Sequence, residues 1–343
     1  MKQIGLFDES NRLKKLSALG DPLEKLNCVI DWHMFEGILN RVFAKEQKGV
    51  GGRPPYSYLL LFKILILQRL FNVSDDQAEY QINDRVSFMR FLGLSLGDRV
   101  PDAKTIWLFR DTLVKADVME ELFNSFNLQL EQQGIISHKG TIVDATFVEA
   151  PHQRNTREEN RQIKEGKTPE GWEKPENVNK VRQKDTDARW TIKNKERHFG
   201  YKDHVKADAD SKLITGYSVT DASVHDSQAL IELMDEKDKV LYADSAYSGN
   251  PIADKLPKGI ENQIHEKGYR NRPLSEEQKT ENRRKSKIRS RIEHVFGYMT
   301  GTMRGITVRS IGIARAKFNI GLTNLIYNLC RYEILIRGLP AAG

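Results

Sequence analysis

The sequence predicts an all-helical N-terminal domain, residues 1 to 135, followed by an α/β domain, residues 136 to 343. Three observations carry that expectation. Apolar residues recur at helical spacing up to about residue 133; beyond it they fall into short β-like runs separated by turns; and those runs come in the order three β-elements, a helix, a strand, then more helices. A chain of 343 residues is long enough for two such domains.

In the first domain PLEKLNCVIDWHMFEGILNRVF has a helical pattern and ends in the basic, turn-like KGVGGRPP. Further helices are expected to begin near Tyr56, near Ser74 as the cap of DDQAEYQI, near Asp102 and near Val118, with Gly134 as a stop. In the second domain TIVDATFVEA reads as the first strand, HFGYKDHVKAD and KLITGYSVT as a hairpin around Ala209-Asp210-Ser211, HDSQALIELMDE as a helix and DKVLYADSA as an apolar strand. A charged insert at about 151 to 197 has only Trp172 and Trp190 as large aromatics, so it is expected to be mobile or ordered by a partner. The apolar tail ARAKFNIGLTNLIYNLCRYEILIR is expected to pack on the sheet.

The balance of 54 Lys and Arg against 47 Asp and Glu, a net +7, suggests a polyanionic partner. Two cysteines, Cys28 and Cys330, are too few for a disulfide framework or a thiolate metal site, and a reducing cytoplasm is the default. MKQIGLFDES lacks the apolar core of a signal peptide, and the run LLLFKILIL is broken by Lys63, so neither export nor a membrane span is expected. No zinc-type histidine spacing and no nucleotide-cradling glycine loop is present.

Three carboxylates stand in informative places. Asp144 lies among the β-branched and aromatic residues of TIVDATFVEA, where an unpaired charge is costly. Asp244 ends VLYAD, where open α/β sheets bind ligands. Glu293 lies beside the apolar helical stripe of Ile288, Ile292, Val295, Phe296 and Met299. Hard oxygen donors from two strand ends and a helix suit magnesium, and two such ions about 3.5 to 4 Å apart serve phosphodiester chemistry. The plainer alternative for a single strand carboxylate is a salt bridge.

Beside Glu293, RRKSKIRSR offers Arg283, Arg284, Lys285, Lys287, Arg289 and Arg291 as phosphate contacts, against the plainer reading of a solvated face. Lys202, in a strand with Asp203 and His204 expected to be exposed, is a further phosphate candidate. Trp190 and Trp172 are candidates for stacking on an unpaired base, with simple packing as the alternative. His225 and Asp226 read as a helix cap. In the first domain Arg53, Lys104 and Arg110 are candidates for reading DNA through a helix in the major groove.

In their order, TIVDATFVEAP, DTDARWTIKNKERHFGYKDHVKAD, VTDASVHDSQALIELM, VLYADSAYSG and RSRIEHVFGYM resemble the insertion-sequence-five family of bacterial DDE transposases, over roughly residues 50 to 335. PDAKTIWLFRDTL resembles the helical segment that precedes the catalytic domain in that family. The resemblance implies a ribonuclease-H-like catalytic domain, a mixed sheet flanked by helices, in which Asp144, Asp244 and Glu293 bind two Mg²⁺ ions, with Mn²⁺ as a substitute. The related signature Tyr-x2-Arg-x3-Glu-x6-Lys places its Arg at Arg289 and its Glu at Glu293, but Ser286 and Thr300 stand at its Tyr and Lys positions. Those departures put the phosphate-holding part in question, with Arg304 or the upstream basic run as substitutes.

The implied activity is binding of the terminal inverted repeats of a mobile element, cleavage at its ends and joining of the 3′ hydroxyls to target DNA. A dimer or larger complex on DNA, associated with the bacterial nucleoid, goes with it. Two alternatives remain at this point: a DNA-binding protein that no longer cuts, and a metal-dependent nuclease without strand transfer.

Overall fold

The computed structural model describes residues 8–44, 55–247 and 256–337. The chain divides into two compact units, residues 1–129 with 325–343, and residues 130–324. The division falls six residues before the one expected, and the apolar tail is shared between the units instead of belonging wholly to the second.

The first unit is helical among the described residues. Its helices are α1 (Asp8–Ala18), α2 (Pro22–Val29), α3 (Glu36–Phe43), α4 (Tyr58–Phe71), α5 (Asp75–Asp84), α6 (Val86–Leu92), α7 (Ala103–Ala116) and α8 (Met119–Gln132), the last running into the second unit. Their starts follow capping chemistry: Ser57, Ser74 and Asp102 each accept a backbone N–H three residues on, satisfying donors that the helix leaves orphaned. The helical pattern expected through residues 22–43 breaks at a 3-10 turn, Trp32–Phe35, which Asp31 caps and which buries both aromatics. Trp32 meets Phe91 edge-on at 5.5 Å and Phe35 packs on Phe62 at 5.2 Å. Lys63, the charge that interrupts the apolar run, lays its ammonium over Trp32 and Phe91 at 5.0 and 4.5 Å, and burial pulls its pKa down to about 8.

The second unit is built on a six-stranded mixed sheet. In chain order its elements are β1 (Thr141–Glu149), α9 (Arg157–Lys164), α10 (Val178–Val181), β2 (Arg189–Lys193), β3 (Glu196–Asp208), β4 (Ile214–Asp221), α11 (Asp226–Leu233), β5 (Val240–Tyr242), β6 (Glu261–Asn262), α12 (Glu276–Arg289), α13 (Glu293–Gly301) and α14 (Ile313–Arg337), the last continuing into the first unit. β3 pairs antiparallel with β1 along one edge, from Thr141↔Asp208 to Glu149↔Gly200. Its other edge carries β2 and then β4, both antiparallel. On the far side of β1, β5 and then β6 run parallel. Val143 packs with Leu230 and Leu233 of α11, Leu241 of β5, Tyr247 and Ile264, closing one face of the sheet. At Gly200, φ is +149°, and a Cβ would stand 2.2 Å from the Val148 carbonyl oxygen, so only glycine lets β1 and β3 close there.

Two expectations need correction. The insert is ordered by its own contacts: α9 begins with a capping box between Thr156 and Glu159, and the buried Trp172 donates its indole N–H to Glu159 at 2.9 Å. Further along it, buried Asp185 accepts the Tyr201 hydroxyl and the Gly312 amide, while Asp187 accepts the Ile313 amide at the start of α14. High charge did not prevent order, because those charges cap helices and bond to the sheet. β3 is likewise an interior strand and not an exposed hairpin arm, with Asp203 and His204 fully buried. Among the described residues, no helix is long and apolar enough to cross a membrane.

Candidate active site

The parallel pairing of β1 and β5 ends at Ile142↔Tyr242. Two residues beyond that last pair, each chain segment carries an aspartate, Asp144 on one and Asp244 on the other. Asp244 therefore leaves the carboxyl end of β5, the position where sheets of this kind open a ligand crevice, while Asp144 lies beside it within β1, opposite Val205 of β3. Asp144 Oδ1 accepts the Ala145 amide at 2.8 Å, and Asp244 Oδ1 accepts the Ala246 amide at 2.8 Å. Burial pushes the Asp144 carboxyl above the usual range despite the Ala145 amide and Arg289, and the charge of Asp244 pushes the same way. The Tyr247 hydroxyl is buried in the same region with no hydrogen-bond partner among the described residues, and burial, then the charges of Asp144, Asp226 and Asp244, push its pKa up.

Glu293 arrives on a third element. α12 ends at Arg289, a 3-10 turn spans Ser290–Ile292, and α13 begins at Glu293. Ile292, Val295 and Met299 bury the expected stripe, and Glu293 stands beside it with its side chain 67% exposed. The guanidinium of Arg289 serves both acidic elements: Nη1 is 3.1 Å from Asp144 Oδ2, and Nη2 is 3.9 Å from Glu293 Oε1. Asp144 is thus paired, as a lone strand carboxylate tends to be, and its partner is Arg289. Among the described residues no three acidic, histidine or cysteine side chains gather closely enough to hold a metal ion, so the expected gathering of Asp144, Asp244 and Glu293 is not present in this arrangement. The donor set is nevertheless all carboxylate, with two like charges in one crevice, the chemistry that a hard divalent cation neutralises.

The basic candidates divide sharply. Lys202 is buried and donates to Asp226 Oδ1 at 2.7 Å and the Val224 carbonyl at 2.6 Å, so it does not offer its charge to DNA phosphate. Lys285 is buried against the Ile264 carbonyl. Arg110 grips Asp75 with two bonds, at 2.7 and 2.8 Å, a bidentate pair that fixes α7 to α5. Arg291 donates to the Ala209 carbonyl in the β3–β4 turn at 2.7 Å, and Arg284 bonds Glu281 and Gln263. Trp190 is 39% exposed and tilted against Phe199 and His152. Lys104, Arg283, Lys287 and Arg304 lie on the surface, and Arg53 lies outside the described residues. His225 caps α11 as expected, but Asp226 is held by Lys202.

Lys193 was not singled out from the sequence. It projects from β2 with half its side chain exposed, lies 3.7 Å from Asp226 and 5.6 Å above the Phe147 ring, and its charge lowers the Asp144 carboxyl. The signal for it was the alternation of RWTIK, a short strand hidden in the charged insert.

Residues 136–329, more than half of the chain, match the family model of the transposase DDE domain. The chain belongs to that family. Residues 11–112 match a second model, the transposase domain DUF772, so both regions of this DDE transposase carry transposase signatures. The mixed sheet flanked by helices agrees with the ribonuclease-H-like fold implied by the sequence. Among solved structures, the cryo-EM structure of a piggyBac transposase synaptic complex with hairpin DNA is similar over 94% of this chain and 77% of that one, at 11% identity and a TM-score of 0.44.

Proposed function

We propose that this transposase binds the terminal inverted repeats of an insertion sequence, cleaves at the element ends and joins the exposed 3′ hydroxyls to target DNA. The observation that supports this reading best is the pair Asp144 and Asp244, each two residues past the last hydrogen-bonded pair of β1 and β5. Asp144 and Asp244, with Glu293, would hold two Mg²⁺ ions, for which Mn²⁺ substitutes. Bound there, the ions supply neutralisation of the phosphodiester charge and a lowered pKa for the attacking oxygen.

The chain's own part is positioning. Asp144 is fixed by its bond to the Ala145 amide and Asp244 by its bond to the Ala246 amide, so each carboxylate keeps one oxygen anchored, while the second oxygen of Asp144 is held by Arg289. The buried side chains around Tyr247 limit water on the α11 face of the crevice. Arg283 and Lys287 on α12, Arg304 and Lys104 are exposed cations suited to DNA phosphates, which they would hold without reading sequence. No covalent protein intermediate is needed, since phosphoryl transfer rests on alignment and charge. Two element ends have to meet, so the working form is a dimer or larger assembly on DNA in the bacterial nucleoid.

The test is to incubate purified protein with Mg²⁺, a pre-cut element end and a target plasmid. Joined product is the expected result. Cutting without joining would leave a nuclease, and end binding with neither would leave a DNA-binding protein.

A further inference from the structure

Resting on the reading of Asp144, Asp244 and Glu293 as the metal carboxylates, we propose that Arg289 is a resident counter-ion that has to release Asp144 before a divalent cation is coordinated there. The same guanidinium that neutralises the crevice at rest is then available to a DNA phosphate. Metal loading and phosphate capture are thereby linked through one side chain.

Four observations meet at this residue. Arg289 is the only cation among the described residues within ion-pairing distance of Asp144, at 3.1 Å, and it reaches Glu293 with its other terminal nitrogen at 3.9 Å. It therefore sits on one oxygen from each of two proposed metal carboxylates, drawn from two different elements. Its Nε is buried without an acceptor among the described residues, so the grip is incomplete, and leaving a charged group's donor unsatisfied is costly. Arg289 is also the last residue of α12, followed by the 3-10 turn Ser290–Ile292, so its side chain projects from a helix end and not from the middle of the helix.

The contact is best understood by what it relieves. Asp144 is largely buried and has Asp244 as a like-charged neighbour, an arrangement that is unfavourable without a cation. Arg289 supplies that cation from 145 positions away in the chain. A divalent ion offers twice the charge and direct oxygen coordination, so the exchange favours the ion once its concentration is sufficient. Arginine suits the second role as well, because its planar fork matches phosphate oxygens as readily as carboxylate ones.

The experiment is a Mn²⁺ titration of the full-length, EDTA-treated protein, with free Mn²⁺ read by electron paramagnetic resonance and melting followed in parallel. Arg289→Gln is expected to bind Mn²⁺ about tenfold more tightly than the wild type, with Arg289→Lys between the two. In EDTA Arg289→Gln melts below the wild type, and Mn²⁺ raises its melting temperature by more. Lys279→Gln, the same charge change elsewhere on α12, leaves Mn²⁺ affinity within about twofold, because its ion pair with Glu276 is remote and exposed.

Equal or weaker Mn²⁺ binding by both Arg289 variants overturns the counter-ion role. If instead Asp144→Asn binds Mn²⁺ as the wild type does, the carboxylates are not the metal site and the underlying reading fails with it. Arg289→Lys keeps the comparison available should the glutamine variant not fold.

Discussion

Two charged clusters lie within four residues of each other on β1 and answer burial in opposite ways. At its first residue, Thr141 donates to Asp238, and the buried Lys206 of β3 bonds both Asp238 and Asp235 at 3.1 and 2.8 Å. Burial would raise the Asp235 carboxyl, but the bond and charge of Lys206 bring it below its usual range. At Asp144 the balance reverses: burial raises the carboxyl, one incomplete arginine contact opposes it, and a second aspartate adds to the rise. The first cluster is complete and holds the sheet together. The second is left short of positive charge, which the proposed metal ions would supply.

Substitutions at the two ends should therefore separate stability from activity. Lys206→Met leaves the fully buried Asp238 without its cation and should cost about 3 to 5 kcal/mol in urea unfolding. Asp144→Asn and Asp244→Asn should leave stability nearly unchanged and cut strand cleavage by about a thousandfold or more, with end binding retained in a gel-shift assay. If Lys206→Met proves as stable as the wild type, or Asp144→Asn unfolds as readily as it, the contrast collapses.

A third buried carboxylate gives a finer test. Asp203 on β3 accepts one bond, from Asn324, and its second oxygen has no partner among the described residues; burial pushes its pKa up to about 7. The ordinary value is 3.8, so between about pH 4 and 7 the folded state keeps a proton that the unfolded chain has lost. Stability from this group therefore falls as pH rises through that window, by about 1.4 kcal/mol per pH unit at most. Asp203→Asn should flatten the profile measured by urea unfolding between pH 4 and 7, and an unchanged slope would place the titration elsewhere. Asp235 has the opposite sign, since its lowered carboxyl gives stability that is lost as pH falls through its folded-state value.

The smallest effect is expected on the surface. Lys287→Ala should alter unfolding free energy by no more than about 0.5 kcal/mol, yet lower the slope of log affinity for end DNA against log salt by about one. A slope equal to that of the wild type would remove α12 from the DNA-facing surface.

Strands β1, β3, β4 and β5 and both aspartates were legible because β-branched runs with period two mark a sheet whatever its partners, and an acid inside or just after such a run stands out, whereas β2 and β6 were not. The helix starts at Ser74 and Asp102 were legible for a similarly local reason, a side chain bonding three residues ahead. What depends on distant chain was not. The partner of Asp144 comes from the end of α12, and nothing near either residue announces the pairing. Lys202, Lys285 and Arg110 read as available charge because a sequence displays cations but not the Asp226, Ile264 carbonyl and Asp75 that engage them. The insert reads as mobile or ordered by a partner because its composition is so charged; its order comes from bonds within it, Trp172 on Glu159, and from a bond to the sheet, Tyr201 on Asp185.

The short register between β1 and β5 has a practical consequence. Asp144 and Asp244 are 244 − 144 = 100 positions apart, yet two backbone pairs, Thr141↔Leu241 and Ile142↔Tyr242, set their spacing. Hydrogen bonds act as the ruler, and the length of chain looped out between them does not enter the measurement. Material can be added or exchanged at the exposed turn after α9, around Glu165 to Lys167, without moving one aspartate relative to the other. That turn is a natural insertion point for a fluorescent or affinity label that leaves the register between the two aspartates intact.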